Sequence, residues 1–482
     1  MRNKKLLLGV LAVIIFVGAN YITFHLTREY FNGTGDAIDV EEQVRGGEET
    51  ISPDIDMEEY YRMMQVIEVL QNNYLEEVEI SSLLEGAIRG MLESLDDPHT
   101  SYLDGDDMEE FSEQMRGTFG GVGVIITEVE DRVTVLEVFP DTPAEKEGLK
   151  EGDRIWKVDG EELSLNTVEE ASERMRGEPG SEVEVTVNRP GAEEPVDISL
   201  TREEIQVHTV EGEWLQDGVA RIEISRFDGL TGAEFGNVLS KKEEEGLDGL
   251  VLDLRGNPGG SLEQTVEVAQ ELVPEGEIVR KVGRDGEILN TYYSRGEGKP
   301  YPVTVLVNRE TASGAEILAG ALQDHGAAAL VGETTYGKAT VQVVQELYGQ
   351  GGLSLTIARY ETPEGRNIDE DGLEPDYYVE MPEVFRYYEY FLPGRLEEGD
   401  SGESVYLLEE MLETLGYDIT PSGGFDAETA ETLKNFQVDS GQEATGVFDD
   451  VTWLSLREEL ERLVKEEDPQ LQKALELLEE GN

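Results

Sequence analysis

The rhythm of apolar and polar positions changes several times along this chain, and each change predicts a different kind of element. Behind Arg2, Lys4 and Lys5, residues 6 to 24 form an almost wholly apolar run that includes Leu6, Val10, Ile14, Phe16 and Phe24. As a helix this run rises about 28 Å, close to the hydrocarbon thickness of a bilayer. Basic residues before it and acidic ones after it keep the N-terminus in the cytoplasm and put the rest outside. Residues 1–25 are therefore expected to be an uncleaved membrane anchor. The competing reading is a secretory signal with Val17-Gly18-Ala19 as its cleavage site, but the apolar run continues past that site. Residues 26–56 are Gly- and acid-rich and read as a linker. Over 57–112, Tyr61, Met64, Ile67 and Leu70, then Leu83, Leu84, Ile88, Met91 and Leu92, recur at helical spacing. Over 113–201 the short β-rich stretches 122–126, 133–136, 154–158 and 183–187 predict a small β module.

Residues 202–382 alternate strand with helix. The continuous apolar stretches 249–254 and 303–307 each lead into a Gly-containing turn, as strands buried on both faces of an α/β core do. Residues 383–395 are an aromatic junction with Phe385, Tyr387, Tyr388, Tyr390 and Phe391. Helical periodicity returns over 396–457, and 458–482 read as a charged helix or tail. The expected fold class is a multidomain assembly of α+β and α/β parts.

Composition changes this picture in three ways. The 482 residues exceed one ordinary domain. Lys and Arg number 38 against 106 Asp and Glu, a formal charge of −68, and a surface this negative repels phosphate backbones and excludes nucleic acid as a partner. The acids occur throughout, so their mutual repulsion calls for screening; the Debye length falls to about 3 Å at 1 M salt, and a halophilic setting is expected. Finally, there is no Cys, hence no disulfide, thiolate nucleophile or Cys-bound metal. The four His residues, His25, His99, His208 and His325, form no His-x-x-x-His pair, so no metal or cofactor is expected.

Candidate chemistry centres on Ser313, which follows strand 303–307 where a helix begins among small residues. The plain reading of such a serine is a helix cap. As a nucleophile it would gain from the backbone N–H groups of the helix start, which stabilise a developing oxyanion. Its candidate base is Lys338, because a lysine desolvated in an apolar pocket loses its proton near neutral pH; from spacing alone a solvated loop lysine is the favoured reading there. Residues 332–338 also nearly spell a phosphate loop, G-x-x-x-x-G-K, but Ala339 replaces the Ser/Thr that holds magnesium, and residues 340–347 alternate like a strand. Leu252-Asp253-Leu254-Arg255-Gly256-Asn257-Pro258-Gly259-Gly260 ends a buried strand in a turn whose glycines let N–H groups approach a bound group closely. Gly120, Gly121, Val122, Gly123 and Val124 lead into a β-strand, a shape suited to holding a peptide's C-terminal carboxylate while the peptide adds a strand.

Together these motifs resemble the carboxy-terminal processing, or tail-specific, serine peptidases of family S41, over about residues 60 to 379. Asp97-Pro98-His99-Thr100-Ser101-Tyr102-Leu103, the PDZ-like pattern around 120–155, residues 252–260, Thr311-Ala312-Ser313, Gly337-Lys338, and Ala358-Arg359-Tyr360 with Thr362-Pro363-Glu364-Gly365-Arg366 occur in the family's order. The resemblance implies that Ser313 is the nucleophile, Lys338 the general base and Gln342 the residue that positions Lys338. Gly259 and Gly314 are then the oxyanion donors, with Gly260 the alternative to Gly259. It also implies that the PDZ-like module binds substrate tails and gates the protease through Arg176, for which an exposed loop arginine is the plainer reading. Gly314 stands where the family often has Ala. Such proteases commonly form dimers through their terminal helical parts, so a homodimer is expected.

Residues 396–457 resemble a peptidoglycan-binding type 1 domain, through Leu415-Gly416-Tyr417, Gly424-Phe425-Asp426, Phe436-Gln437, Gly446-Val447-Phe448-Asp449 and Thr452-Trp453. This implies a three-helix bundle and peptidoglycan as a partner, although Glu409-Glu410 lie near where the family often carries Gln. The expectation is an anchored, extracytoplasmic serine endopeptidase acting on protein substrates with apolar C-terminal tails. The alternatives are a catalytically silent wall-binding scaffold, opposed by the complete Ser313, Lys338 and Gln342 set, and a nucleotide-binding protein, opposed by Ala339.

Overall fold

A computed structural model describes residues 57–129, 132–163, 167–189, 192, 194–347, 351–382 and 395–480. The anchor and linker expected over 1–56 and the aromatic junction over 383–394 lie outside these residues. No described helix is long and apolar enough to cross a membrane. The chain divides into two compact units, residues 1–87 and 88–482.

In the first unit, helix Met57–Asn73 carries Tyr60, Tyr61, Met63, Met64, Val66 and Val69 exposed, and Asn72 and Asn73 turn their amides back onto carbonyls one turn earlier. A second helix, Ile80–Glu93, runs on into the second unit.

Within the second unit, the β module is an antiparallel sheet ordered Val124–Val129, Arg132–Val138, Arg154–Val158, Glu182–Asn188, Val196–Thr201, with Glu161–Glu162 beside the third strand. Period-two alternation places Val183, Val185 and Val187 inside with Val133, Val135, Ile155, Ile198 and Leu200. Ala171 and Met175 of helix Val168–Met175 close this core. Strand Thr118–Gly121 does not join the sheet. It pairs with Glu203–Gln206, so a two-stranded ribbon straddles the boundary that the pattern put at residue 201.

The protease-like core is a six-stranded sheet ordered Val210–Gln216, Val219–Ile224, Gly249–Asp253, Val303–Val307, Ala329–Gly332, Tyr377–Tyr378, antiparallel only at its first pair. Alternate residues face two different clusters. Leu250, Leu252, Val305 and Val307 pack with Phe235, Leu239, Val268, Ala269, Leu318 and Leu322 from helices Thr231–Glu244, Leu262–Leu272 and Gly314–Asp324. Val251, Leu306 and Val331 face the other way, onto Leu471, Ala474 and Leu478. A second, antiparallel sheet contains Ser101–Leu103, Gly352–Glu361, Pro274–Val282 and Ile288–Glu297, with Thr340–Glu346 also paired to Gly352–Glu361.

Helices Glu403–Thr414, Ala427–Asp439 and Asp450–Glu467 enclose Leu408, Met411, Leu433, Phe436, Phe448, Trp453 and Leu460. The expected boundary at 457 is corrected: it cuts the third of these helices. Of the helix or tail expected beyond it, the structure has a helix, Pro469–Glu480, whose Leu471, Ala474 and Leu478 cover one face of the core sheet. Its many charges mask a narrow apolar stripe with period three to four.

Candidate active site

Strand Val303–Val307 ends in a turn tied by Thr311, whose hydroxyl accepts from the Asn308 amide (2.9 Å) and donates to the Leu254 carbonyl (2.8 Å). Two residues on, Ser313 occupies the N-cap of helix Gly314–Asp324 at φ +52°, ψ −114°. For a residue with a Cβ this conformation costs on the order of 1–3 kcal/mol, and it persists only where the surroundings enforce it. Ser313 and Glu316 stand in a capping-box arrangement, with the Glu316 carboxylate accepting from the Ser313 amide.

What enforces the geometry is Glu316, one turn into the same helix and fully buried. Its Oε2 accepts from the backbone amides of Ser313 (2.8 Å) and Lys338 (2.9 Å), and its Oε1 from the Gly337 amide (2.8 Å) and the Thr335 hydroxyl (2.5 Å). One carboxylate oxygen thus holds both chain segments. Burial pushes the Glu316 carboxyl above the ordinary range, while the four donors favour its charged form. Tyr360, also buried, adds a second brace, its hydroxyl lying 2.6 Å from the Lys338 carbonyl and 3.1 Å from the Ser313 carbonyl.

Lys338 is half-buried on the loop before strand Thr340–Glu346. Burial lowers its pKa, opposed by the negative charge of Asp97. Among the described residues its ammonium has no hydrogen-bond or ion-pair partner. His99 is likewise lowered, first by burial and then by the charge of Lys338, so the Asp97-Pro98-His99-Thr100 segment faces the base. Gln342 does not hold Lys338 directly. Its amide donates to the hydroxyls of Thr340 (2.9 Å) and Thr356 (3.2 Å). The Thr356 amide in turn donates to Thr100 (3.1 Å), and the Thr100 hydroxyl to Asp97 (2.7 Å). Gln342 therefore reaches the surroundings of Lys338 through a threonine relay.

The glycine turn presses on the serine. A Cβ on Gly259 would lie 2.7 Å from the Ser313 Cβ, and Gly259 has φ +93°. Its N–H, however, is taken by Asn257 Oδ1 at 2.8 Å, which corrects its expected place as oxyanion donor. The neighbouring Gly260, at φ +136°, sends its N–H to no acceptor among the described residues, because the adjoining bridge to Phe227 uses the Gly259 carbonyl and the Ser261 amide. Gly314, the first residue of the helix, has a similarly unclaimed N–H, and the Gly260 nitrogen lies 3.6 Å from where a Gly314 Cβ would stand. That Cβ would also fall 2.5 Å from the Thr265 hydroxyl, which accounts for glycine here. Gly260 and Gly314 are thus two neighbouring glycines beside Ser313 whose N–H groups no described residue claims.

In the β module, Gly120 and Gly121 are committed to the ribbon with Glu204 and Glu203. Val122 and Gly123 form the turn into strand Val124–Val129, which is an edge of its sheet and runs beside helix Val168–Met175. Gly123 has φ +86°, and a Cβ there would strike Thr142 at 2.3 Å. An unpaired strand edge next to a helix is a groove into which a peptide can add as a strand. Arg176 leaves the end of that helix to pair with Glu113 (3.1 Å) and to lie over the Phe119 ring (5.2 Å). Among the described residues no cluster of His, Asp and Glu is arranged to hold a metal ion.

Comparison with known proteins gives the site its context. The model of peptidase family S41 matches residues 218–379, and a PDZ domain matches 120–200. The N-terminal domain of the activating protease CtpB matches 13–107, and a putative peptidoglycan binding domain matches 401–456. The carboxy-terminal processing protease CtpA of Bacillus subtilis is 32% identical over 420 residues, covering 86% of this chain and 90% of its own length. The chain belongs to the carboxy-terminal processing serine proteases of family S41. CtpB of the same organism is 32% identical over 424 residues, covering 86% of this chain and 88% of its own. Among solved structures, the photosystem II D1 C-terminal processing protease is 33% identical, covering 67% of this chain and 87% of that one, with a TM-score of 0.41.

In this S41 protease the sequence motifs pass through several residues whose work only the fold reveals. Asp97, His99, Thr100 and Tyr360 sit inside those motifs and Glu316 just after one, yet nothing in their spacing says that Glu316 and Tyr360 bind the same two backbone segments. Glu316 carried one legible signal: a carboxylate three residues past an N-cap serine is a capping-box pattern.

Proposed function

We propose that this protease is a membrane-anchored, extracytoplasmic endopeptidase that captures the apolar C-terminal tails of protein substrates on the edge strand Val124–Val129 and cleaves them with a Ser313–Lys338 dyad. The observation that carries this reading is the joint bracing of a strained Ser313 and a desolvated Lys338 by the same Glu316 oxygen and the same Tyr360 hydroxyl.

In the proposed reaction, neutral Lys338 takes the proton of the Ser313 hydroxyl as Oγ attacks the scissile carbonyl carbon. The N–H groups of Gly260 and Gly314 receive the oxyanion. The intermediate collapses with the C–N bond breaking, and the Lys338 ammonium returns its proton to the leaving amine. Water then adds to the acyl ester, again giving its proton to Lys338; the C–Oγ bond breaks, the Lys338 ammonium returns that proton to Ser313 Oγ, and the free dyad is restored. The C-terminal bundle is proposed to hold the enzyme at peptidoglycan, the exposed apolar face of helix Met57–Asn73 to serve a homodimer, and the acidic surface to require salt.

The test incubates the full chain, in detergent and high salt, with a reporter protein ending in an apolar tail, beside Ser313→Ala and Lys338→Ala. Cutting by the wild type alone, slowed when the tail carboxylate is amidated, supports the reading. Equal cutting by all three removes the dyad. Three folded but inert proteins would instead favour a wall-binding scaffold.

A further inference from the structure

We infer that Asp468 is a positioning residue for the glycine turn of the active site, and that the terminal helix Pro469–Glu480 delivers it there. The inference rests on the proposed role of Gly260 in that turn. It concerns a part of the chain beyond the four family matches, which end at residue 456.

Arg255 is the second residue of the turn 254–260, at whose far end Gly260 presents its N–H. The guanidinium is held from two sides. Its Nε and Nη2 fork onto Asp253 at 2.9 and 2.6 Å, while Nη1 reaches Asp468 Oδ2 at 2.6 Å and Gln470 Oε1 at 3.2 Å. The two carboxylates do different work. Asp253 is only two residues away and moves with the strand end, so its pairing with Arg255 fixes local shape but not position. Asp468 is 213 residues away and belongs to an independent helix, so it ties Arg255 to an outside reference.

That reference is itself rigid. Asp468 is 3% exposed, and its second oxygen accepts from the amides of Gln470 and Leu471, both at 2.9 Å, capping the helix it begins. The fully buried Gln470 donates to the Val379 carbonyl at 2.8 Å, beside the last core strand. Leu471, Ala474 and Leu478 then lie on Val251, Leu306 and Val331, one residue from each strand's inward-facing neighbours. Strand Gly249–Asp253 leads into the glycine turn and strand Val303–Val307 toward Ser313, so the helix that begins at Asp468 is seated on both strands, with Leu478 at the Gly249 end away from the turn. A charge-assisted, buried bond at this point resists displacement far better than a surface pair, because removing one partner strands the other without water.

The experiment uses the full chain with Asp468→Asn, and with Leu478→Ala as a variant that weakens helix packing while leaving the Arg255 contacts intact. Four quantities are read: kcat and KM on a tail-bearing substrate, affinity for a peptide boronic acid, amide hydrogen exchange across residues 254–260, and thermal stability. The boronic acid presents an anionic tetrahedral centre to the same N–H groups. For Asp468→Asn the expected result is about a tenfold loss in kcat and in boronate affinity, KM within about twofold, and faster exchange in the turn, the loss being a fraction of that for deleting an oxyanion donor. Leu478→Ala is expected to lower the melting temperature with little change in the other three. The inference is overturned if Asp468→Asn lowers stability alone, or if Leu478→Ala reproduces every effect. Faster exchange in the Asp468→Asn turn, in a protein whose wild type binds no boronate, would sink the dyad reading while retaining the positional tie.

Discussion

Glu316→Gln is the substitution that most directly probes how the nucleophile and base are held together. The carboxylate accepts four hydrogen bonds, two on each oxygen. An amide of the same shape has one oxygen and one NH2 group, so in either orientation two buried donors face another donor. Each stranded donor costs about 1–3 kcal/mol, or about 2–6 kcal/mol for the pair. The neutral side chain recovers some of the desolvation that now pushes the Glu316 carboxyl up, leaving a net loss of about 2–4 kcal/mol. For a core of this size that corresponds to a fall in melting temperature of about 5–15 °C. If the amide nitrogen turns toward Ser313 and Lys338, the Tyr360 brace alone has to hold Ser313 at its positive φ, and the strain there relaxes by moving the hydroxyl. A displacement near 1 Å is enough for about a hundredfold loss in kcat. Melting followed by circular dichroism, with kcat measured well below the transition, separates the two effects. A Glu316→Gln protein that melts early yet retains wild-type kcat would refute the idea that this carboxylate sets catalytic geometry.

Other outcomes follow from the same contacts. Lys338 has its folded pKa depressed by burial from an ordinary value of 10.5, so between the two values the unfolded chain binds more protons and stability rises with pH. Lys338→Met is therefore expected to abolish cleavage yet melt higher than the wild type at pH 7, the gap closing as the pH approaches 10.5; a lower melting temperature at pH 7 would contradict the assigned burial penalty. In the wild type, the cleavage rate should climb as the pH rises through the depressed lysine value. Ser313→Gly should be stabilising by about 1 kcal/mol in denaturant titration, since glycine relieves the positive φ at a smaller entropic cost. Gly260→Ala would drive its Cβ to 2.0 Å from the Phe227 carbonyl, and about a hundredfold or greater fall in kcat with little change in KM is expected; an equal rise in KM would place the damage in binding instead. Arg176→Ala breaks a partly exposed pair with Glu113 and should barely move the melting temperature, so any change in tail-stimulated cleavage would report on coupling.

Much of this protein was legible in its residues. The buried strands at 249–253 and 303–307 announce themselves as unbroken apolar runs, and period-two alternation marks Val183, Val185 and Val187 as a β-sheet face, because local patterning records which faces are covered. Ser313 and Lys338 stand in motifs whose order along the chain survives without any coordinates. Tertiary structure decided the rest. Whether Gly259 or Gly260 offers its N–H depends on φ and ψ at consecutive glycines, which have no side chain to constrain them, and on where Asn257 turns its amide oxygen. The work of Glu316 and Tyr360 depends on two segments, about 25 residues apart, being brought against one oxygen and one hydroxyl. The terminal segment reads as a charged helix or tail because only a narrow apolar stripe buries it, and no rhythm in residues 469–480 reveals that its partners are strands more than a hundred residues earlier. A sequence records which residues seek burial or a hydrogen bond; only the closed fold determines which partner satisfies them, since that depends on distances between segments the chain order does not contain.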